Sequence, residues 1–322
     1  MQQIRRILVA VDPGEDNSAL MAKAVRLARG LDAAVKVCCC DSVSLPQARR
    51  YLDAPSFQRA ADNYRNLHTE RLERLVEPLR RASVDVTVDV RCEAGWSLAD
   101  AIARAASDYH ADLIMKRAAH VPAIRRRLFS NADWQLIRRC PVPLLLTHDR
   151  PWNATTMRVA AALDPGHPSD PDDSVDRELL AALTLLRSKF TAEVLAIHVI
   201  PSPDTLFMAL DLAATAPAAV NESAREFDQM REQRVACLAA IIRRSGLAGD
   251  IARIIDGDPI AVLPKFVAQS GIDIFIVGAK SRGDANRAII GGTAEKLLDR
   301  IDADLLIISP DAKRADASQS AL

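Results

Sequence analysis

The sequence predicts an α/β protein made of two tandem, doubly wound parallel sheets, each of five strands in the order 3-2-1-4-5. The first observation behind this is an internal repeat. "ILVAVDPG" (Ile7–Gly14) returns as "RVAAALDPG" (Arg158–Gly166), which moves Asp12 onto Asp164. "ADLIMK" (Ala111–Lys116) returns as "IDIFIVG", moving Asp112 onto Asp273, and "CPVPLLLT" returns as "DADLLIIS", moving Leu144 onto Leu305. Two copies of one unit therefore fill the chain, over residues 1–150 and 151–310, with a short insertion early in the second copy and a flexible tail expected over 311–322. The second observation is that short apolar runs alternate with longer segments of helical period. The third is one strand-like segment that alternates strictly between apolar and polar.

In the first unit, Ile7–Val11 reads as strand one, "NSALMAKAVRLARGL" as a helix and Ala34–Cys40 as strand two. "VDVTVDV" (Val84–Val90) is the strictly alternating segment, the pattern of a strand with one solvated face, so it is placed third and at the sheet edge. "LADAIARAASDY" follows as a helix, then Leu113–Met115 and Leu144–Thr147 as strands four and five. Right-handed crossovers with the third strand outermost give the order above. Its switch point lies between strands one and four, where ligands of such sheets bind beyond the carboxyl ends of the strands. The terminal strands Leu144–Thr147 and Leu305–Ser309 are expected to lie together at a pseudo-twofold interface.

A chain of 322 residues is long enough to bury two cores. Lysine plus arginine and aspartate plus glutamate each number 42, so no net field draws the whole molecule to nucleic acid or to an acidic membrane. No secretory leader and no long uninterrupted apolar run is present, so a cytoplasmic protein without membrane contact is expected. The six cysteines lack C-x-x-C spacing, which argues against zinc, redox pairs and a disulfide framework. Cys38, Cys39 and Cys40 fall in strand two, where buried cysteine acts as a small hydrophobe.

The second unit's switch-point stretch is "IFIVGAKSRGDANRAIIGGTAEKLL", residues 274–298. "GAKS" echoes the end of a Walker loop, but Ala279 precedes Lys280 and Ile274 stands at the far glycine position, so a P-loop ATPase is rejected. Here the chain resembles the tandem universal stress protein family, and within it the E-type. The likeness rests on "VAVDP" and "ALDP" at the first strands, "AIHVIP" at the second unit's strand two, "DGDP", "GGTAEKLLD", and "ADWQLIRRCPVPLLL" followed by "PW" at the junction.

That resemblance implies an adenine-nucleotide alpha hydrolase-like, Rossmann-like fold and a part in surviving stress, including DNA damage. It also implies a loop pattern G-x2-G-x9-G-[S/T], which falls on Gly278, Ser281, Gly291 and Gly292; Ser281 and Gly292 depart from it. In nucleotide-binding members such glycines let backbone N–H groups approach phosphates, and a hydroxyl adds a donor. Thr293 is then the nearby hydroxyl, Gly283 is able to shift the bend, and Lys280, Arg282 and Arg287 supply either phosphate contacts or a solvated face. Asp164 is by resemblance the residue facing the adenine, or else part of an Asp-Pro-Gly turn; Gly257 either lines the cleft or only makes a turn. The expected ligand is a weakly held ATP with Mg²⁺, or another small molecule, with no cofactor required.

The first unit has "KRAAHVPAIRRRLFSNADW" (Lys116–Trp134) where the second has its glycine loop, so a phosphate cradle of backbone amides is not expected there. Arg125, Arg126 and Arg127 read as a solvated helix face, with an anion or partner site as the minority reading. Asp12 is expected to survive mainly as a turn residue.

His198, inside "LAIHVI", reads as a hydrogen-bonded core histidine, and Asp170, Asp172 and Asp173 read as helix N-capping before Val175 rather than a metal site. "TLFMALDLAATAPAAV" (Thr205–Val220) is either packed against the other unit or a wall for an apolar ligand. Three functions stay open on the sequence: a non-catalytic ligand sensor acting through unknown protein partners, a slow nucleotide hydrolase using Asp164 and the Gly278 loop, and a carrier of an apolar or conjugated metabolite. The two units are expected to form an intramolecular pseudo-dimer, with a further homodimer left open.

Overall fold

The computed structural model describes residues 3–12, 14–41, 48, 51–92, 96–118, 129–140, 142–167, 170, 172–200, 202, 217–279 and 297–309. They form two compact bodies. One comprises Gln3–Trp152 with the last strand of the chain; the other comprises Asn153–Gly278 and the stretch ending at Ala303.

In the first body the elements run β1 (Arg6–Val11), α1 (Ser18–Leu31), β2 (Ala34–Asp41), α2 (Ala54–Leu75), α3 (Glu77–Arg81), β3 (Val86–Cys92), α4 (Leu98–Tyr109), β4 (Leu113–Arg117), α5 (Asn131–Arg139) and β5 (Leu144–Thr147). The strands are parallel in the order β3-β2-β1-β4-β5. The alternating segment is the edge strand, as its pattern predicts: each of its residues keeps part of its surface exposed, whereas β1 is buried from Ile7 to Val11.

Helix α1 shows how the pattern becomes packing. Leu20, Met21, Ala24, Leu27, Ala28 and Leu31 fall on one face at three- and four-residue spacing and are buried against the sheet. Each fully buried leucine there contributes roughly 1.5–3 kcal/mol. The helix stops at Asp32, whose φ of 54° is left-handed, a conformation that a short polar side chain tolerates.

The second body runs β6 (Met157–Ala162), α6 (Ser174–Lys189), β7 (Ala192–Ile200), α7 (Pro217–Arg244), β8 (Ala252–Asp256), α8 (Pro259–Gln269) and β9 (Ile274–Gly278), with parallel order β8-β7-β6-β9. The repeat is kept at the level of register. Val9 pairs with Met115 in the first body and Ala161 with Ile276 in the second, which are equivalent positions in the two copies.

The fifth strand of the second copy, β10 (Asp304–Ile308), is grouped with the first body and pairs antiparallel with β5, Leu305 against Leu146 and Ile307 against Leu144. The terminal strands therefore lie together, as the sequence leads one to expect. The cause is legible in burial: all four residues of β5 and all five of β10 are buried, so neither run tolerates a solvated edge. Of the segment Thr205–Val220, Pro217–Val220 begin α7. Residues 205–216 lie outside the described residues.

A buried polar node fixes β10 in place. Lys23 of α1, 3% exposed, meets Asp304 at 2.7 Å, and Asp304 also accepts from Trp152 Nε1 at 2.7 Å and from the backbone N–H of His148 at 2.8 Å. Lys23 Nζ donates further to the carbonyl of His148 and lies 5.5 Å from the centre of the Trp152 ring. Desolvation holds the lysine below its usual pKa, and Asp304 opposes that shift. Among the described residues, no helix is long and apolar enough to cross a membrane.

Candidate functional site

In the second body the switch point lies between β6 and β9. Ala161 stands beside Ile276, so the register carries Gly278, the last residue of β9, to the level of Leu163, one residue before Asp164. The carboxylate of Asp164 is 60% exposed, 3.6 Å from Arg234 of α7 and 4.0 Å from His167. Arg234 also donates to the carbonyl of Pro165. The backbone N–H of Asp164 is taken by Asp176 of α6, at 3.1 Å to each carboxylate oxygen. Asp176 is 4% exposed, and burial pushes its carboxyl up to about 7, with Asp164, Asp173 and Asp170 adding repulsion.

The Asp-Pro-Gly turn is real as well. His167 donates to the carbonyl of Asp164, Gly166 has a φ of 69°, and its N–H donates to Asp173 at 2.8 Å. Capping of α6 follows expectation in part. Asp170 accepts from the N–H of Val175 at 2.9 Å and from Ser174 Oγ at 2.7 Å, whereas Asp173, at the N-cap position with a φ of 49°, spends its carboxylate on Gly166.

The two described loop glycines have packing reasons of their own. A Cβ at Gly278 would run into Cγ1 of Val175, so α6 reaches the end of β9 only because that residue is glycine. Gly257 has a φ of 134°, and a Cβ there would meet Val262 Cγ1 at 2.7 Å. Lys280, Ser281, Arg282, Gly283, Arg287, Gly291, Gly292 and Thr293 lie outside the described residues, as do Arg125, Arg126 and Arg127 of the first unit. His198 is the core histidine expected of it: 5% exposed, with Nδ1 2.9 Å from the carbonyl of Leu163.

The first body has a cavity of about 410 Å³ at the equivalent place, against the carboxyl ends of β1, β2 and β4 and the inner face of α2. The register puts Arg117 where the second copy has Gly278. Its guanidinium holds Asp149 by two bonds of 2.7 Å and also holds Glu15, which keeps the Asp149 carboxyl below its usual range. Next to it, Lys116 pairs at 2.8 Å with Asp133, a fully buried residue that also closes a capping box with Ser130 at the start of α5. Asp12 is the turn residue expected, accepting from the N–H of Gly14 at 2.8 Å. Cys38 and Cys39 are 1% and 2% exposed; burial raises the Cys39 thiol to about 12, and the Cys38 thiol is raised by its contact with Cys40 and by burial. These are packing residues. Among the described residues, no group of three or more His, Cys, Asp or Glu is arranged to hold a metal ion.

Sequence reasoning missed Arg234, Asp176 and the Lys116–Asp133 pair. Arg234 sits among other charges on a largely polar helix, and Asp176 looks like any first-turn acid. Only the Ser130-x-x-Asp133 spacing gave a signal, that of a capping box.

The model of the universal stress protein family matches this chain twice, over residues 3–148 and 157–309. The chain belongs to the universal stress protein family. Its relatives include universal stress protein E homolog of Haemophilus influenzae, 23% identical over 314 residues, covering 97% of this chain and 99% of that one. Universal stress protein E of Escherichia coli strain K12 is 25% identical over 205 residues, 62% of this chain and 61% of the relative. The chain is thus a tandem member of the family, similar to relatives of the E type. Among solved structures, a universal stress protein of Archaeoglobus fulgidus DSM 4304 superposes with a TM-score of 0.64 at 15% identity, covering 95% of this chain and 98% of that one. A protein of unknown function from Pseudomonas aeruginosa PAO1 does so with 0.68 at 21%, covering 99% and 97%. At these identities the structures bear on the fold alone.

Proposed function

We propose that this stress-response protein is non-catalytic, binds a nucleotide in its second body, and acts through protein partners whose encounter the ligand biases. The observation that carries this reading is the parallel pairing of β6 with β9, beyond whose carboxyl ends, at the switch point of the sheet, Asp164 keeps an exposed carboxylate. The described residues suit the base end of such a ligand. Asp164 is positioned to accept from an exocyclic amine, and Arg234 is near enough to meet an anionic group. The phosphate end falls to the family loop pattern, in which Ser281 and Gly292 replace the expected glycine and hydroxyl.

Each charge-assisted contact to a phosphate is worth roughly 1.5–3 kcal/mol, so the loss of two weakens a micromolar site by about a hundredfold. Equilibrium dialysis with ATP and Mg²⁺ tests the reading. Weak stoichiometric binding of intact ATP is expected, reduced roughly tenfold in Asp164→Ala and tightened by roughly tenfold or more in Ser281→Gly with Gly292→Ser. ATP turned over in a single-turnover assay favours the hydrolase reading; no binding by either the parent or the restored variant rejects the nucleotide.

A further inference from the structure

The cleft of the first body has a chemistry of its own. Its floor is apolar, built by Ala10 and Val11 of β1 and Leu98 and Ile102 of α4, and Tyr64 and His68 of α2 stand on its wall with ring centres 4.1 Å apart. Its volume of about 410 Å³ lies in the range that holds a small organic ligand. His68 is 8% exposed, yet its Nδ1 is buried and, among the described residues, has no hydrogen-bond partner. Leaving such an atom unmet is costly, and a ligand that supplies a donor removes the cost.

The charges around the cleft select the ligand's sign. Lys116 and Arg117 are neutralised by Asp133, Asp149 and Glu15, and among the described lining residues the remaining cation, Arg71, sits at the exposed rim. Asp12 and Asp41 face the imidazole from the ends of β1 and β2, and Tyr64 donates its hydroxyl to Asp41. Asp12 and Asp41 thus put negative charge beside the imidazole, and the segment after β4, Lys116–Trp134, carries no glycine to bring backbone N–H groups to a phosphate. An anion is disfavoured; a cation that also donates hydrogen bonds is favoured.

We propose that this cleft is a binding site for a small primary amine carrying an aromatic body. The ammonium lies between Asp12 and Asp41 and donates to Nδ1 of His68, while the ring packs against Leu98, Ile102 and Tyr64. Burial and the neighbouring Arg71 both favour the neutral imidazole, the form with an acceptor nitrogen. The site is independent of the nucleotide reading of the second body, and the two fail separately.

The test is calorimetric titration of the full chain with 2-phenylethylamine, alongside 2-phenylethanol, which lacks the charge, and phenylacetate, which reverses it. One saturable site is expected for the amine, with the alcohol at least roughly tenfold weaker and the acid without measurable binding. His68→Phe, which keeps a ring on the wall but removes the acceptor, and Asp12→Asn should each weaken the amine roughly fivefold or more. Asp164→Ala in the second body should leave amine binding unchanged. Should a cleft variant fail to fold, the ¹⁵N shift of His68 Nδ1 in the parent protein serves instead, and it should move on titration with the amine. Binding of phenylacetate as tight as that of the amine, no binding of the amine, unchanged affinity in both folded cleft variants, or an unmoved His68 resonance overturns the proposal.

Discussion

Asp176 is the side chain whose charge the second body resists most. Its carboxyl is buried, both oxygens accept from the N–H of Asp164, and its folded pKa of about 7 lies well above the roughly 3.9 of a free aspartate. Between those values the native state holds a proton that the unfolded chain has released. Rising pH therefore withdraws stability across that interval, by up to about 1.4 kcal/mol per unit from this group, and has no further effect through it above about 7. Asp176→Asn should remove that contribution, so the difference in unfolding free energy between variant and parent grows in the variant's favour from pH 4 to 7 and then levels off; urea titrations across the range read it directly. Gly278 lends itself to a packing test. Gly278→Ala should destabilise by about 1–3 kcal/mol through overpacking against Val175, and adding Val175→Ala should recover part of the loss, measured by denaturant unfolding. That double variant separates a packing role for the glycine from a binding one.

Helix α5 and strand β4 are held together by one carboxylate. Asp133 closes the capping box with Ser130 and also receives Lys116 from the end of β4, so a single substitution breaks an N-terminal cap and strands a partly buried ammonium. Asp133→Ala should cost about 3–5 kcal/mol in thermal or urea unfolding, well above the roughly 1 kcal/mol typical of losing a cap alone. Among the elements, what is periodic was legible in the sequence. The strands of the first body, the edge placement of β3 and the shared register of the two copies all follow from apolar spacing and from the repeat. Contacts that join distant segments were not: Lys116 with Asp133, Arg117 with Asp149 and Arg234 with Asp164 are single side chains on polar stretches, and an ion pair leaves no period to read. Asp164, Gly257 and Gly278 were legible as residues at or just past strand ends, because turn residues mark such ends. The cleft of the first body was not, since its histidine and tyrosine are spaced four apart on α2 like any helix face.

The chain as a whole is not two sequence halves that fold into two separate sheets. Its first body is completed by residues from the far end of the chain, through β10 and the buried contacts of Asp304 with Lys23 and Trp152. A fragment of residues 1–152 therefore leaves the edge of β5 unpaired and Lys23 without its carboxylate. It should associate through that edge and run larger than a monomer in light scattering, whereas the full-length chain carrying Asp304→Asn should keep β10 in place but lose about 3–5 kcal/mol of stability.

The same strand sets a schedule for synthesis. A ribosome adds roughly 5–20 residues per second, and domains that are continuous in sequence fold as they emerge. Here the amino-terminal sheet waits for a partner near residue 304 of 322, so it spends most of the chain's elongation with β5 uncovered. A nascent chain stalled or cut short anywhere in the second copy leaves both copies unfinished. Loss of the last few dozen residues is thereby felt at the beginning of the polypeptide, and an incomplete product exposes a sticky edge that chaperones and proteases recognise.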